Sequence, residues 1–193
     1  MPLILASTSS IRTQMLAQAG VAHEARPPQV DEAIVKRGHV GDGATLALLL
    51  AKAKAESLET RAEDWVIGSD STLSVGGKLY SKPRDRDQAA QHLAAFSGQR
   101  MHLASAVSLA RAKRTEWSQC ATATLDVRKL SPGFIDDYLD VEWPDVAFCV
   151  GVFRMEGRGV TLFDRIEGDY FTILGMPLLP LLAALRAREL LPS

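Results

Sequence analysis

The chain has 193 residues, 47% hydrophobic and 23% charged, an ordinary globular composition with material for one sizeable core or two small lobes. A formal net charge of −1 leaves no chain-wide basic footprint, which argues against a nucleic-acid binder or a protein held by charge to an anionic membrane. Cys120 and Cys149 have neither disulfide-framework nor metal-ligand spacing and are expected as core thiols of a reducing cytosol.

The opening MPLILASTSS lacks a basic leader and a long apolar run, so no secretion signal is expected. Leu3–Ala6 reads as a buried strand, and Ser7-Thr8-Ser9-Ser10 supplies N-cap residues for a helix with Ile11, Met15, Leu16 and Ala19 at helical spacing, stopped at Gly20. A strand running into a helix aims free N–H groups and small hydroxyls at one point, which suits a phosphate, and Arg12 in the first turn can add a forked contact. A plain strand–turn–helix with Arg12 in water is equally compatible with these residues.

His23–Pro28 reads as a second strand, followed by Val30-Asp31-Glu32, two carboxylates in a loop, and a flexible stretch from Gly38 to Gly43. Asp42 is expected to cap a helix reaching about Glu59, with Leu46, Leu49, Leu50 and Ala53 buried. Lys54, four residues after Leu50, flanks that face and can reach inward, whereas Lys52 points the other way.

The centre of the chain is VIGSDSTLSVGGKLYSKP, residues 66–83. Trp65-Val66-Ile67 reads as a strand buried on both faces, Thr72–Val75 alternates, Gly76-Gly77 marks a hairpin and Lys78–Tyr80 returns. Asp70 therefore sits on stiff backbone with Lys82-Pro83 twelve positions on, a placement that acid–base chemistry on a phosphate ester requires. By themselves these residues fit a satisfied aspartate and a surface lysine as well.

Arg84-Asp85-Arg86-Asp87 opens a helix to Ala95, ended by Phe96-Ser97-Gly98. His102–Arg111 and Thr122–Arg128 read as two antiparallel strands turning around Ala112–Thr115. Ser131-Pro132 caps a helix over Gly133–Leu139 with Asp136, Asp137 and Asp140 on a wet face, and Trp143–Val150 stays ambiguous. Gly157-Arg158-Gly159 reads as a tight turn before a strand over Val160–Phe163, then a polar, glycine-broken Ile166–Tyr170. Met176-Pro177 starts a last helix to about Leu190; Ile173–Leu182 is apolar but too short and proline-broken to span a bilayer. A cytoplasmic protein is expected.

LILASTSSIR at 3–12, VDE at 30–32, LAKAKA at 50–55, IGSD at 67–70, SKP at 81–83, FSG at 96–98, EGRGV at 156–160 and GDYFTILGMP at 168–177 resemble, in order, the successive motifs of the Maf family. The resemblance implies an α/β fold like that of Maf and inosine triphosphatase (ITPase) proteins, a mixed twisted sheet with flanking helices. It treats 1–193 as one domain whose two lobes enclose a nucleotide cleft. It also implies a cytoplasmic, homodimeric nucleoside triphosphate pyrophosphatase using a divalent metal, magnesium or manganese. By the same resemblance, Asp70 is the catalytic carboxylate, and Ser7, Arg12, Lys54 and Lys82 bind the triphosphate. Glu32 joins Asp70 at the metal.

Family branches differ in the base they accept, and the positions that track this are Ile11, Ser71 and Glu156. Glu156 leans toward the 7-methyl-GTP branch, since an ionised carboxylate accepts from guanine N1–H and the 2-amino group. Ser71 leans toward the dTTP and UTP branch, and Ile11 after Ser10 fits neither. A nucleotide-binding regulator of cell division without catalysis is the alternative of another class.

Overall fold

A computed structural model describes residues 3–192. Along the chain run β1 (Leu3–Ala6), α1 (Ser10–Gln18), β2 (Glu24–Arg26), α2 (Glu32–Arg37), α3 (Gly43–Glu56), β3 (Trp65–Val75), β4 (Lys78–Tyr80) and α4 (Arg86–Phe96). There follow β5 (Arg100–Arg111), β6 (Arg114–Val127), α5 (Pro132–Glu142), β7 (Phe163–Glu167), α6 (Tyr170–Leu174) and α7 (Leu178–Arg186). Two short 3-10 helices, Asp145–Phe148 and Arg158–Leu162, lie between α5 and β7. The strands form a mixed sheet in the order β2-β1-β3-β5-β6-β7, with β4 paired to β3, and helices flank it, the α/β class expected. No helix among the described residues is long and apolar enough to cross a membrane.

The backbone gathers into two compact units, the first made of 1–71, 104–121 and 169–193, the second of 72–103 and 122–168. In the first, β1 lies parallel to both β2 and β3, with Ala6 level with Gly68. One face of this sheet packs Leu3, Leu5, Trp65, Ile67, Val107 and Leu109 on Met15 and Leu16 of α1 and on Leu178, Leu181 and Leu185 of α7. The other face is closed by α3, and the reason is a glycine. A Cβ on Gly68 would lie 2.1 Å from the Ala51 carbonyl oxygen and 2.5 Å from the Ala55 nitrogen, so only glycine lets α3 settle onto β3. Ala51 and Ala55 are the matching small residues on the helix.

In the second unit the end of β3 turns through Gly76-Gly77 into β4, with Leu73 opposite Tyr80 and Val75 opposite Lys78. β7 pairs antiparallel with the end of β6. Arg86 of α4 donates to Asp136 at 2.7 Å and Asp140 at 2.5 Å of α5, so that wet face is an ion-pair seam.

Several expectations are corrected. Asp31-Glu32 is not loop: Asp31 caps α2, accepting from the Ala33 and Ile34 N–H groups, and the helix escaped notice because none of its residues is buried. Leu49 is 43% exposed, since the stripe on α3 runs through Ala47, Ala51 and Ala55 instead. β6 begins at Arg114, its first half too polar to read as strand. Residues 160–162 are 3-10 helix because Gly159 packs against the Arg154 backbone, where a Cβ would meet the carbonyl oxygen at 2.4 Å. Ile166 and Glu167 belong to β7, and α7 ends at Arg186. Both cysteines are half-buried free thiols rather than core thiols.

Gly68→Ala should cost about 1–3 kcal/mol or more, because backbone rather than a flexible side chain must yield. Gly133→Ala in the first turn of α5, where a Cβ meets nothing within 4 Å, should be neutral or stabilising by up to about 1 kcal/mol. Urea unfolding measures both, and equal stability of Gly68→Ala and the parent would contradict the close approach of α3.

Candidate functional site

Because β1 stops level with Gly68, Ser69, Asp70 and Ser71 run past its end. Side chains alternate along a strand, so Asp70 faces α3 while Ser69 and Ser71 face the opposite side. The end of a parallel strand is where open α/β sheets present ligand sites.

On the α3 side, seating the helix at Gly68 brings Lys54 to Asp70. The ammonium lies 2.5 Å from Asp70 Oδ1 and 2.8 Å from Glu32 Oε1, with the Lys54 and Asp70 side chains only 9% and 11% exposed. Lys36, one turn along α2, takes the other Glu32 oxygen at 3.0 Å. Burial works against ionising Glu32, but the hydrogen bond and charge of Lys54, then those of Lys36, outweigh it and hold the carboxyl down at about 2. Two carboxylates already converge on a single cation.

On the other side, Arg12 donates from Nε to the Gly175 carbonyl at 3.0 Å, from Nη1 to the Ser69 carbonyl at 3.0 Å and from Nη2 to Ser71 Oγ at 3.2 Å. Gly175 takes φ +112° at the end of α6, a conformation that favours glycine, and this aims its carbonyl at the guanidinium. Burial pulls the Arg12 pKa below its ordinary value, opposed by the charges of Asp70 and then Glu32. Arg12 thus approaches β3 from the face opposite Lys54, yet both act on the same two acids. Three of its five N–H donors are spent on acceptors among the described residues. Ser71 Oγ is also 2.8 Å from Ser105 Oγ, which donates to the Thr172 carbonyl at 2.8 Å. Ser7, buried at the end of β1, accepts from the Ser9 N–H at 3.1 Å, and Ile11 is half-buried in the first turn of α1.

Lys82 and Glu156 belong to the second unit and are exposed. Both act on Cys149, whose thiol is pushed up to about 11 by burial and then by Glu156, with Lys82 opposing. The turn that carries Glu156 is built on Glu142, 4% exposed, which accepts from the Arg158 N–H at 3.1 Å and pairs with Arg154 at 3.1 Å. Sequence reasoning passed over Ser105, Gly175, Glu142 and Arg154. Gly175 in the GMP motif was the one visible signal; the others are ordinary residues whose partners lie far along the chain.

One carboxylate on β3 just past the end of β1 and one at the start of α2 thus meet at a single buried ammonium in an α/β protein. The profile described as Maf-like protein matches residues 2–188. The chain is 46% identical over 188 residues to the 7-methyl-GTP pyrophosphatase of Rhizobium meliloti (strain 1021), covering 95% of this chain and 94% of that protein. It is 43% identical over 192 residues to the nucleoside triphosphate pyrophosphatase of Nitrobacter hamburgensis (strain DSM 10229 / NCIMB 13809 / X14), covering 98% and 95%. Among solved structures, the Staphylococcus aureus Ham1 protein superposes loosely, with TM-score 0.41 and 15% identity over 66% of this chain and 71% of that one. This chain belongs to the Maf-like protein family.

Glu32 contributes stability through its lowered pKa, so that contribution is complete above the ordinary value of 4.5 and is lost as pH falls toward 2. The melting-temperature gap between the parent and Glu32→Gln should therefore stay constant above pH 4.5 and close below it. A gap independent of pH down to pH 2 would contradict the pairing.

Proposed function

We propose that this protein is a nucleoside triphosphate pyrophosphatase that cleaves between the α and β phosphates, with 7-methyl-GTP as the favoured substrate. The observation that carries the reading is the single ammonium of Lys54 held between Asp70 and Glu32 at the end of a parallel strand. The names of the relatives support the same activity and, in the first of them, the same base.

Asp70 takes a proton from a water molecule as its oxygen attacks the α phosphorus. The bond from that phosphorus to the bridging oxygen breaks, and pyrophosphate leaves with the electron pair. Lys54, the two remaining N–H groups of Arg12, Ser7 and Lys82 bear the charge that shifts onto the leaving group. Glu32 and Asp70 fit a divalent metal, magnesium or manganese, because their oxygens converge on one cation; phosphate oxygens and water would complete the shell. Such a metal would polarise the phosphate oxygens around the phosphorus under attack. A cytoplasmic homodimer completes the reading.

For the base, Glu156 accepts from both donors of a guanine edge and repels the carbonyls of uracil. Ser71 decides little, since its hydroxyl is engaged by Arg12 and Ser105. Ile11 offers apolar packing and no stacking.

With magnesium and a panel of 7-methyl-GTP, GTP, UTP and dTTP, 7-methyl-GTP should give the highest kcat/KM; absence of turnover on all would leave the binding regulator. Asp70→Asn should lower kcat by about 10²–10⁴-fold while calorimetry still detects nucleotide binding. Turnover near the parent value would remove Asp70 from the chemistry. Glu156→Gln should move the ranking toward UTP, and an unchanged ranking would exclude Glu156 from the base pocket.

A further inference from the structure

We propose that Lys54 bars a bare divalent cation from the Glu32–Asp70 pair, so that these acids accept metal only together with the polyphosphate of the substrate. The inference rests on the metal-dependent reading above and adds to it how the metal arrives.

The argument is one of charge. Two carboxylates, Glu32 and Asp70, face three cations: Lys54 on both, Lys36 on the second oxygen of Glu32, and Arg12 close enough for both acids to act on it. Minus two and plus three leave the cluster at plus one. A bare divalent ion would meet a positive cluster, surrender water and displace the buried ammonium at 2.5 and 2.8 Å from its partners. Among the described residues no group of three or more His, Cys, Asp or Glu side chains is placed to hold a metal, so no third side chain of those types repays that cost.

A triphosphate with its metal is an anion, and the same cluster attracts it. Lys54 is suited to the exchange. Its side chain is buried on α3, and its ammonium has three rotatable donors that can turn from carboxylate to phosphate oxygens.

The test is Mn2+ binding to the whole chain without nucleotide, read from the free-ion electron paramagnetic resonance signal. The parent should show no saturable binding below about 1 mM, and Lys54→Met should bind at least about tenfold more tightly. Lys36→Met, an exposed change that keeps the buried pair, should shift binding in the same direction by less and serves if Lys54→Met does not fold. Calorimetry should detect binding of Mn2+–tripolyphosphate to the parent at concentrations where Mn2+ alone gives no heat. Micromolar Mn2+ binding by the parent, or no tightening in either variant, would overturn the proposal while leaving metal-dependent turnover intact. Parent turnover that persists in excess chelator would instead remove the metal reading, and this proposal with it.

Discussion

Everything at the strand end depends on how closely α3 can approach β3. At Gly68 the helix backbone lies where a methyl group would be, and that contact drops Lys54 into a space with little water. A buried ammonium must be paired, and Asp70 and Glu32 pair it from two separate elements. Removing one member of such a pair costs about 3–5 kcal/mol in general, because the other is left charged and unsolvated. Packing and pairing are therefore tied: the glycine that seats the helix also sets the distance from Lys54 to Asp70.

The opposite face of β3 is organised by hydrogen bonds rather than ion pairs. Arg12 gathers the carbonyls of Ser69 and Gly175 and the hydroxyl of Ser71, joining the start of α1 to the strand and to the end of α6. Ser105 donates to the Thr172 carbonyl, and the Ser71 hydroxyl, 2.8 Å from Ser105 and 3.1 Å from the Gly175 carbonyl, accepts from Arg12. A residue that resembles a base-selecting position is part of the frame that holds an arginine.

The second unit repeats the lesson with a different carboxylate. Glu142 is buried and satisfied by Arg154 and by the backbone of Arg158, which ties the turn bearing Glu156 to α5. Gly157 accommodates the Glu142 carboxylate, where a Cβ would come to 3.1 Å, and Gly159 accommodates the Arg154 backbone. Both glycines of the GRG motif are packing positions, and the acid before them is exposed.

Local sequence determined the strands at Leu3–Ala6 and Trp65–Val75, the Gly76-Gly77 hairpin, and the caps at Asp42 and Ser131, because alternation, turn residues and capping hydroxyls or carboxylates act over a few positions. It also pointed Lys54 inward by helical spacing and set Asp70 on rigid backbone. Only the tertiary structure decided that Glu32 starts a helix and shares Lys54 with Asp70, that Arg12 spends three donors on protein, and that Ser105, Gly175 and Glu142 matter at all. The physical reason is range: burial and pairing between residues 12 to 163 positions apart leave no periodicity to read, and appear only when the chain closes on itself.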